Sequence, residues 1–404
     1  MTTTNGSGWQ EMLVLAGLTY RGGVVHGSLV GGAVEQGLTD LAPGWRRVWG
    51  PSASHLLGDP LDACAMYVVQ HRDARERYVV AVRGTNPLAL SDWVFGDFDV
   101  GSTVAWPFAS DGAALSKSTA FGLKWLLNLR WSAGLLFERA AEEFAKRWRV
   151  SPSLLAVVRR TKPLGELAAG EVLGPFERQI DELGKIPVGA DVTAFAGRLI
   201  GGAGDVAAAD LRLVADRGTA VGTTLVEFLT AETRASNAPL DVVVTGHSKG
   251  GALAPALALW LHETRDAWDT TRASTVRCCA FAGPTPGNAR LAARIEQAFD
   301  GCLERVVNQN DIVTHAWALD DLSSIPTLYA TRTAGFQGFI DAVRAALTAG
   351  KQDYRQPGEP AVAFAGTLDP KRLFGAEFVY QHMDAYLAHA GLAPNVDAIR
   401  LFLG

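Results

Sequence analysis

The sequence is poor in several things, and each shortage removes a class of protein. Four cysteines in 404 residues, Cys64, Cys278, Cys279 and Cys302, are too few for a disulfide framework. Reduced, buried thiols are the expectation, with Cys278 and Cys279 pointing to opposite faces of a strand. Basic charge is not in excess: 37 Lys and Arg stand against 42 Asp and Glu, a net charge of −5. That balance offers no footprint for nucleic acid. Long apolar runs are missing too. The richest stretch, residues 121–148, is broken by Lys124, Arg130 and Glu138, so no transmembrane segment is expected. The opening MTTTNGSGWQEMLVLAGLTY has no charged region followed by an apolar one. It does not read as a secretory leader, and a cytoplasmic protein is the expectation. Internal repeats are absent, and nothing bears on oligomeric state.

What is present is a globular composition, 48% hydrophobic and 20% charged, in alternating strand-like and helix-like segments. DACAMYVVQHR and ERYVVAVRG read as two strands joined by a charged turn from Arg72 to Arg77. VGTTLVEFLTAET has helical spacing, and DVVVTG reads as a buried parallel strand. GGALAPALALWLHETRD is a helix of small residues. TVRCCAFAG and CLERVVNQND are two further strands, separated by the helix NARLAARIEQAFDG. PAVAFAG is a short strand, and HMDAYLAHAG a helix ended by Gly391. The alternation predicts an α/β fold around a mixed, mostly parallel sheet. Between Asp99 and about Asp216 no convincing strand appears, and residues 100–215 read as a mainly helical insertion within one domain spanning 1–404.

The chemistry centres on VVVTGHSKGGALA, residues 242–254. A strand that turns sharply into a helix holds its middle residue, Ser248, exposed above the sheet edge. Residues two before and two after must be tiny, and Gly246 and Gly250 meet that demand. With 43 glycines in the chain the pattern alone is weak, but it occurs once and in the required context. A serine hydroxyl needs a base, and the base needs an orienting carboxylate. Asp311, after the strand LERVVNQ, is the candidate acid, with a simple turn residue as the alternative. Of eight histidines, His26, His55 and His71 precede the serine, His247 sits in the elbow pointing away, His262 lies in the following helix, and His315 is too near Asp311. His382 and His389 remain. His382, expected in a loop at the start of the terminal helix, is better placed than His389, which reads as a solvated or capping residue. One oxyanion donor is expected at the Lys249 amide; Thr85, after the strand YVVAVRG, suits the second, although RGT by itself reads only as a strand end.

Together these segments resemble the class 3 lipase family, the fungal-type triacylglycerol lipases with plant and bacterial relatives. RGTNPLALSDWVFGDFDV resembles its oxyanion loop, VVVTGHSKGGALAPALAL its elbow, and FAGPTPGN (281–288) its strand and turn. RVVNQNDIV resembles its acid loop, and HMDAYL its histidine helix with a Tyr-Leu partner. The likeness spans residues 60–100 and 218–390.

The resemblance implies an α/β-hydrolase fold with Ser248, Asp311 and His382 as a catalytic triad, Thr85 and Lys249 as oxyanion donors, and no cofactor or metal. It implies hydrolysis of acylglycerols or related lipid esters. Other esters (a phospholipid, a feruloyl sugar, a polyester) and a catalytically idle lipid-binding protein are the alternatives.

Three departures stand out. Lysine replaces the usual leucine at 249. The leader and disulfides common in secreted relatives are not seen. The segment from 100 to about 215 is far longer than the family's short lid, whose neighbouring motif corresponds to Ser118-Thr119-Ala120-Phe121-Gly122. In the helix expected over 121–148, Leu126, Leu129, Ala133, Leu136, Ala140, Phe144 and Trp148 form one apolar stripe, and Trp125, Trp131 and Leu135 lie off it. A helix buried on two faces is one reading. A lid making transient contact with a lipid surface is the other.

Overall fold

A computed structural model of the chain describes residues 8–20, 28–55, 62–84, 100–131, 222–329 and 334–392. Seven strands form one sheet in the order β1-β2-β3-β6-β7-β8-β9. They are β1 Trp45–His55, β2 Asp62–His71, β3 Arg77–Arg83, β6 Asp241–His247, β7 Thr275–Phe281, β8 Leu303–Asn308 and β9 Val362–Phe364. The first three pair antiparallel; from β3 across to β9 every pairing is parallel. The sheet is therefore mixed and mostly parallel. β1 had no clear signature in the sequence, because Gly50, Pro51 and several polar residues interrupt its alternation.

Both faces of the sheet are covered, which is why its central strands read as continuous apolar runs. Val79, Ala81, Val243, Cys279 and Phe281 face one core, with helix α1 (Trp9–Leu18) and the C-terminal helices. Val80, Val82, Val242, Val244, Cys278 and Ala280 face the other. That second core is closed by α3 (Lys117–Asn128), α4 (Leu225–Ser236), α5 (Lys249–Glu263) and α6 (Ala289–Ala298); α2 (Ser28–Leu41) packs against β1. The two neighbouring cysteines of β7 thus do point to opposite faces, and both are buried. Cys302 departs from the expectation of buried thiols. It sits in the turn before β8 and is exposed.

The expectation of no strand between Asp99 and Asp216 is also corrected. β4 (Thr103–Ala105) and β5 (Ala114–Ser116) form a small antiparallel pair there. Three-residue strands are too short to display a period-two pattern, so nothing in the sequence signalled them. The helix expected over 121–148 is corrected at both ends that can be read. It begins at Lys117, where the Ser116 hydroxyl accepts from the Thr119 amide at 3.2 Å, and it stops at Asn128. Leu129 is extended, and Trp131 pairs with Thr223 through two backbone hydrogen bonds. That pairing satisfies backbone groups the helix would otherwise have used, so tertiary contact overrides a helix-compatible sequence. The Ser118–Gly122 motif lies in the first turns of α3. The rest of the apolar stripe, from Ala133 onward, lies outside the described residues, as does most of the insertion.

Candidate active site

β6 delivers the nucleophile candidate. Its last residue, His247, is followed by Ser248 at φ 64° and ψ −129°, and α5 begins at once with Lys249. Positive φ on a serine is strained backbone, held here because the turn is over-determined on both sides. The Ser248 amide donates to Phe281 O at 3.0 Å, and the Ser248 carbonyl accepts from Gly251 N at 2.7 Å. A methyl on Gly246 would collide with the carbonyl of Gly250, and one on Gly250 with the carbonyl of Val82. The two glycines are required by space, as the spacing predicted.

The three triad candidates come together. Ser248 Oγ lies 2.7 Å from His382 Nε2, and His382 Nδ1 lies 2.9 Å from Asp311 Oδ2. A carboxylate only accepts, so Nδ1 carries the imidazole proton and Nε2 is left to accept from the serine hydroxyl. All three residues are buried, and Asp311 is fully so. Its Oδ1 accepts from Val313 N at 3.0 Å, and its Oδ2 takes a second bond from the Tyr386 hydroxyl at 3.1 Å. Burial, followed by the Asp311 charge, pushes the Tyr386 pKa well above its ordinary value, so the phenol remains a donor.

His382 is not in a loop. It stands within a continuous helical run: α7 (Phe374–Val379), a π-helical turn (Tyr380–Asp384) and α8 (Ala385–His389). Sequence reading began the helix too late because Gly375 and the bulky residues after it do not resemble a helix start. His389 is exposed and stacked, its ring 4.0 Å from that of Phe364 and 5.3 Å from that of Trp9. His315 bonds Gln309 O and the Ser324 hydroxyl, away from the serine.

On the oxyanion side, Lys249 is buried and opens α5, so its amide belongs to the donor-rich end of the helix. Gly84 runs beside it: a methyl there would lie 3.1 Å from Lys249 N and 3.0 Å from His247 O. Thr85 itself lies outside the described residues. Among the described residues no cluster of His, Cys, Asp and Glu has the makings of a metal site.

Residues that sequence reasoning missed surround this core. The Tyr20 hydroxyl, from the end of α1, donates to His247 O at 3.0 Å. His247 presses its ring on His382, centroids 4.8 Å apart, and its Nε2 lies 2.9 Å from His382 O. Burial, then the neighbouring His382, drives its pKa well below the usual histidine value. Asn308 and Gln381, both fully buried, join the acid loop to the histidine helix. Only the apolar setting of an isolated polar residue could have flagged them.

Such an elbow, with serine, aspartate and histidine in that chain order, is what a serine ester hydrolase of this fold requires. Residues 212–320 match the family model described as lipase (class 3). Over that quarter of its length the chain is similar to the class 3 lipases. The match supports a carboxylic ester hydrolase of lipase type. The crystal structure of M37 lipase is similar at TM-score 0.69 and 23% identity, over 98% of this chain and 96% of that one. At that identity it speaks for the fold, an α/β-hydrolase fold. Lipase II from Rhizopus niveus (TM-score 0.36, 16% identity, 78% of this chain and 76% of that one) and a lipase from Rhizopus microsporus var. chinensis (0.37, 16%, 79% and 72%) are too loosely similar to carry an argument. No curated protein matches the chain. Among the described residues no helix is long and apolar enough to cross a membrane.

Proposed function

We propose that this protein hydrolyses acylglycerols or closely related lipid esters through an acyl-enzyme on Ser248. The observation that carries the reading is the unbroken line from Ser248 Oγ through His382 to Asp311 Oδ2, at 2.7 and 2.9 Å, built on a strained elbow.

In the first half-reaction Ser248 Oγ attacks the ester carbonyl while His382 Nε2 takes its proton. Asp311 holds the imidazole in the tautomer that can accept and stabilises the imidazolium that forms. The carbonyl oxygen, now negative, is received by the Lys249 amide at the start of α5 and by Thr85 after β3. His382 then gives its proton to the departing alcohol, leaving an acyl group on Ser248. Water repeats the sequence, deprotonated by His382, and releases the carboxylic acid. No metal or organic group enters either half. The insertion between 100 and 215, as the lid of the site, would make turnover rise once substrate forms a separate phase.

The test is a panel of p-nitrophenyl esters of increasing acyl length, run below and above each ester's solubility limit on the wild type and on Ser248→Ala. The expected result is turnover by the wild type, preference for longer acyl chains, a jump above the limit, and loss of at least about 10³-fold in the variant. Equal rates for the two proteins would remove the catalytic assignment. Selective turnover of short or aromatic esters would move the reading to another ester class, and no jump would remove the lid.

A further inference from the structure

The imidazole of His382 must reach two partners at once, and the helix that carries it is widened at that point. Ala385 N bonds back to Tyr380 O, five residues earlier, so the turn from Tyr380 to Asp384 is π-helical. Within that turn two successive carbonyls are gripped from outside the helix. Gln381 O accepts from Asn308 Nδ2 at 2.7 Å, and His382 O accepts from His247 Nε2 at 2.9 Å.

The gripping residues are not arbitrary. His247 is the residue before the nucleophile Ser248, at the end of β6. Asn308 ends β8, three residues before the acid Asp311. Each flank of the site thus sends one side chain to the backbone of the base. Both are buried. Asn308 Nδ2 also donates to Gln381 Oε1 at 2.8 Å, while its Oδ1 accepts from Gly366 N at 2.8 Å and Asn310 N at 3.1 Å. That uses the two donors and two acceptor sites an amide possesses. His247 must hold its proton on Nε2, because a carbonyl can only accept.

We propose that His247 and Asn308 are positioning residues that clamp the π-helical turn and so hold His382 in line with both Ser248 and Asp311. The proposal rests on the triad reading given above. Both act on the main chain that carries the base, whose ring nitrogens face Ser248 and Asp311. A wide turn without such anchors is free to relax to the ordinary helical pitch, which rotates the ring at 382 away from one of its two partners. A displacement of about 1 Å at a reacting group costs on the order of 100-fold in rate, so the clamp acts on turnover and not on substrate binding.

Three variants test it in the full-length protein. His247→Phe keeps a ring in place and removes the donor. His247→Gln returns an N–H. Asn308→Asp keeps the shape but sets carboxylate oxygens against the two Gln381 oxygens. Rates on a p-nitrophenyl ester are expressed per active site titrated with a fluorophosphonate, so misfolded protein is not counted.

His247→Phe and Asn308→Asp are each expected to lower kcat by about 10- to 100-fold with KM within about twofold, to slow phosphonate capture in parallel, and to shift the acid limb of the kcat pH profile. His247→Gln is expected to recover at least part of that loss. A variant that does not fold leaves the other to decide, since each holds a different carbonyl. If kcat per titrated site stays within about twofold of wild type in the variants that fold, with only thermal stability reduced, the clamp is structural and the proposal falls. Ser248→Ala run alongside separates this outcome from failure of the triad: an inactive serine variant beside fully active clamp variants sinks the clamp alone.

Discussion

A single side chain decides little in this site unless its hydrogen-bond roles are forced, and at Asp311 they are. The carboxylate is wholly buried and accepts from the Val313 amide, the His382 ring and the Tyr386 phenol. An amide in its place has a donor on one of its two terminal atoms. Asp311→Asn therefore either turns that donor toward His382, expelling the wrong tautomer toward Ser248, or toward Val313 N–H, losing the fold's own bond. The expected outcome is a fall in kcat on a soluble ester of about 10³- to 10⁴-fold with the protein still folded, read by active-site titration beside steady-state rates. A loss under tenfold would show that Asp311 does not orient the base.

Ser248 and Asp311 were legible in the sequence because steric demand and chain order leave a mark in letters: glycines flanking a serine, an acid just past an apolar strand. His382 was reached by elimination among eight histidines. Asn308 and His247 left no such mark, since what they bond is the main chain of a distant helix and any residue may supply a carbonyl.

Elements were legible in proportion to their length and the constancy of their surroundings. β3, β6 and β7 are buried on both sides, so they appear as unbroken apolar runs. β1 is an edge strand with register shifts between Arg47 and Trp49 and between Trp49 and Ser52, which erase its period. The pair β4–β5 is simply too short. The end of α3 at Asn128 was invisible because the competing partner, Thr223, lies nearly a hundred residues further along.

β7 also makes a chemical prediction. Burial alone pushes the Cys278 thiol far up, and burial followed by the Glu304 charge does the same for Cys279. Cys302, one turn before β8, is exposed. A disulfide reagent applied to the native protein should modify Cys302 within minutes and leave Cys278 and Cys279 untouched until denaturant is added. Mass spectrometry of tryptic peptides reads the sites, and early modification of Cys279 would contradict the two-sided burial of the strand.

Across the described residues, the main sheet has a hydrophobic core on each face, and stability depends on keeping buried polar groups in one protonation state. His247 is the clearest case. Its pKa is lowered in the folded protein by burial, while the unfolded chain titrates near the ordinary value of about 6.5. Below that pH the unfolded state binds the extra proton and the folded state does not, so this residue's contribution is intact above about 6.5 and lost as the pH falls from there. The slope approaches about 1.4 kcal/mol per pH unit for one proton. Denaturant unfolding followed from pH 7.5 to 5.5 should therefore show a steeper loss for the wild type than for His247→Gln. Parallel slopes would mean that His247 takes up its proton in the folded protein over the same pH range as in the unfolded chain.

The order of strands carries a consequence for how the protein comes into being. β6 lies between β3, from the first quarter of the chain, and β7, from the last half, and the imidazole arrives from residue 382. A nascent chain can therefore have its sheet nearly complete, with serine and aspartate already lodged at the strand ends, and still have no base to draw the proton. On the proposed triad, the base is the last of the three residues to be synthesised. A product cut short between residues 364 and 382 carries all seven strands of the sheet but lacks the base of the proposed triad.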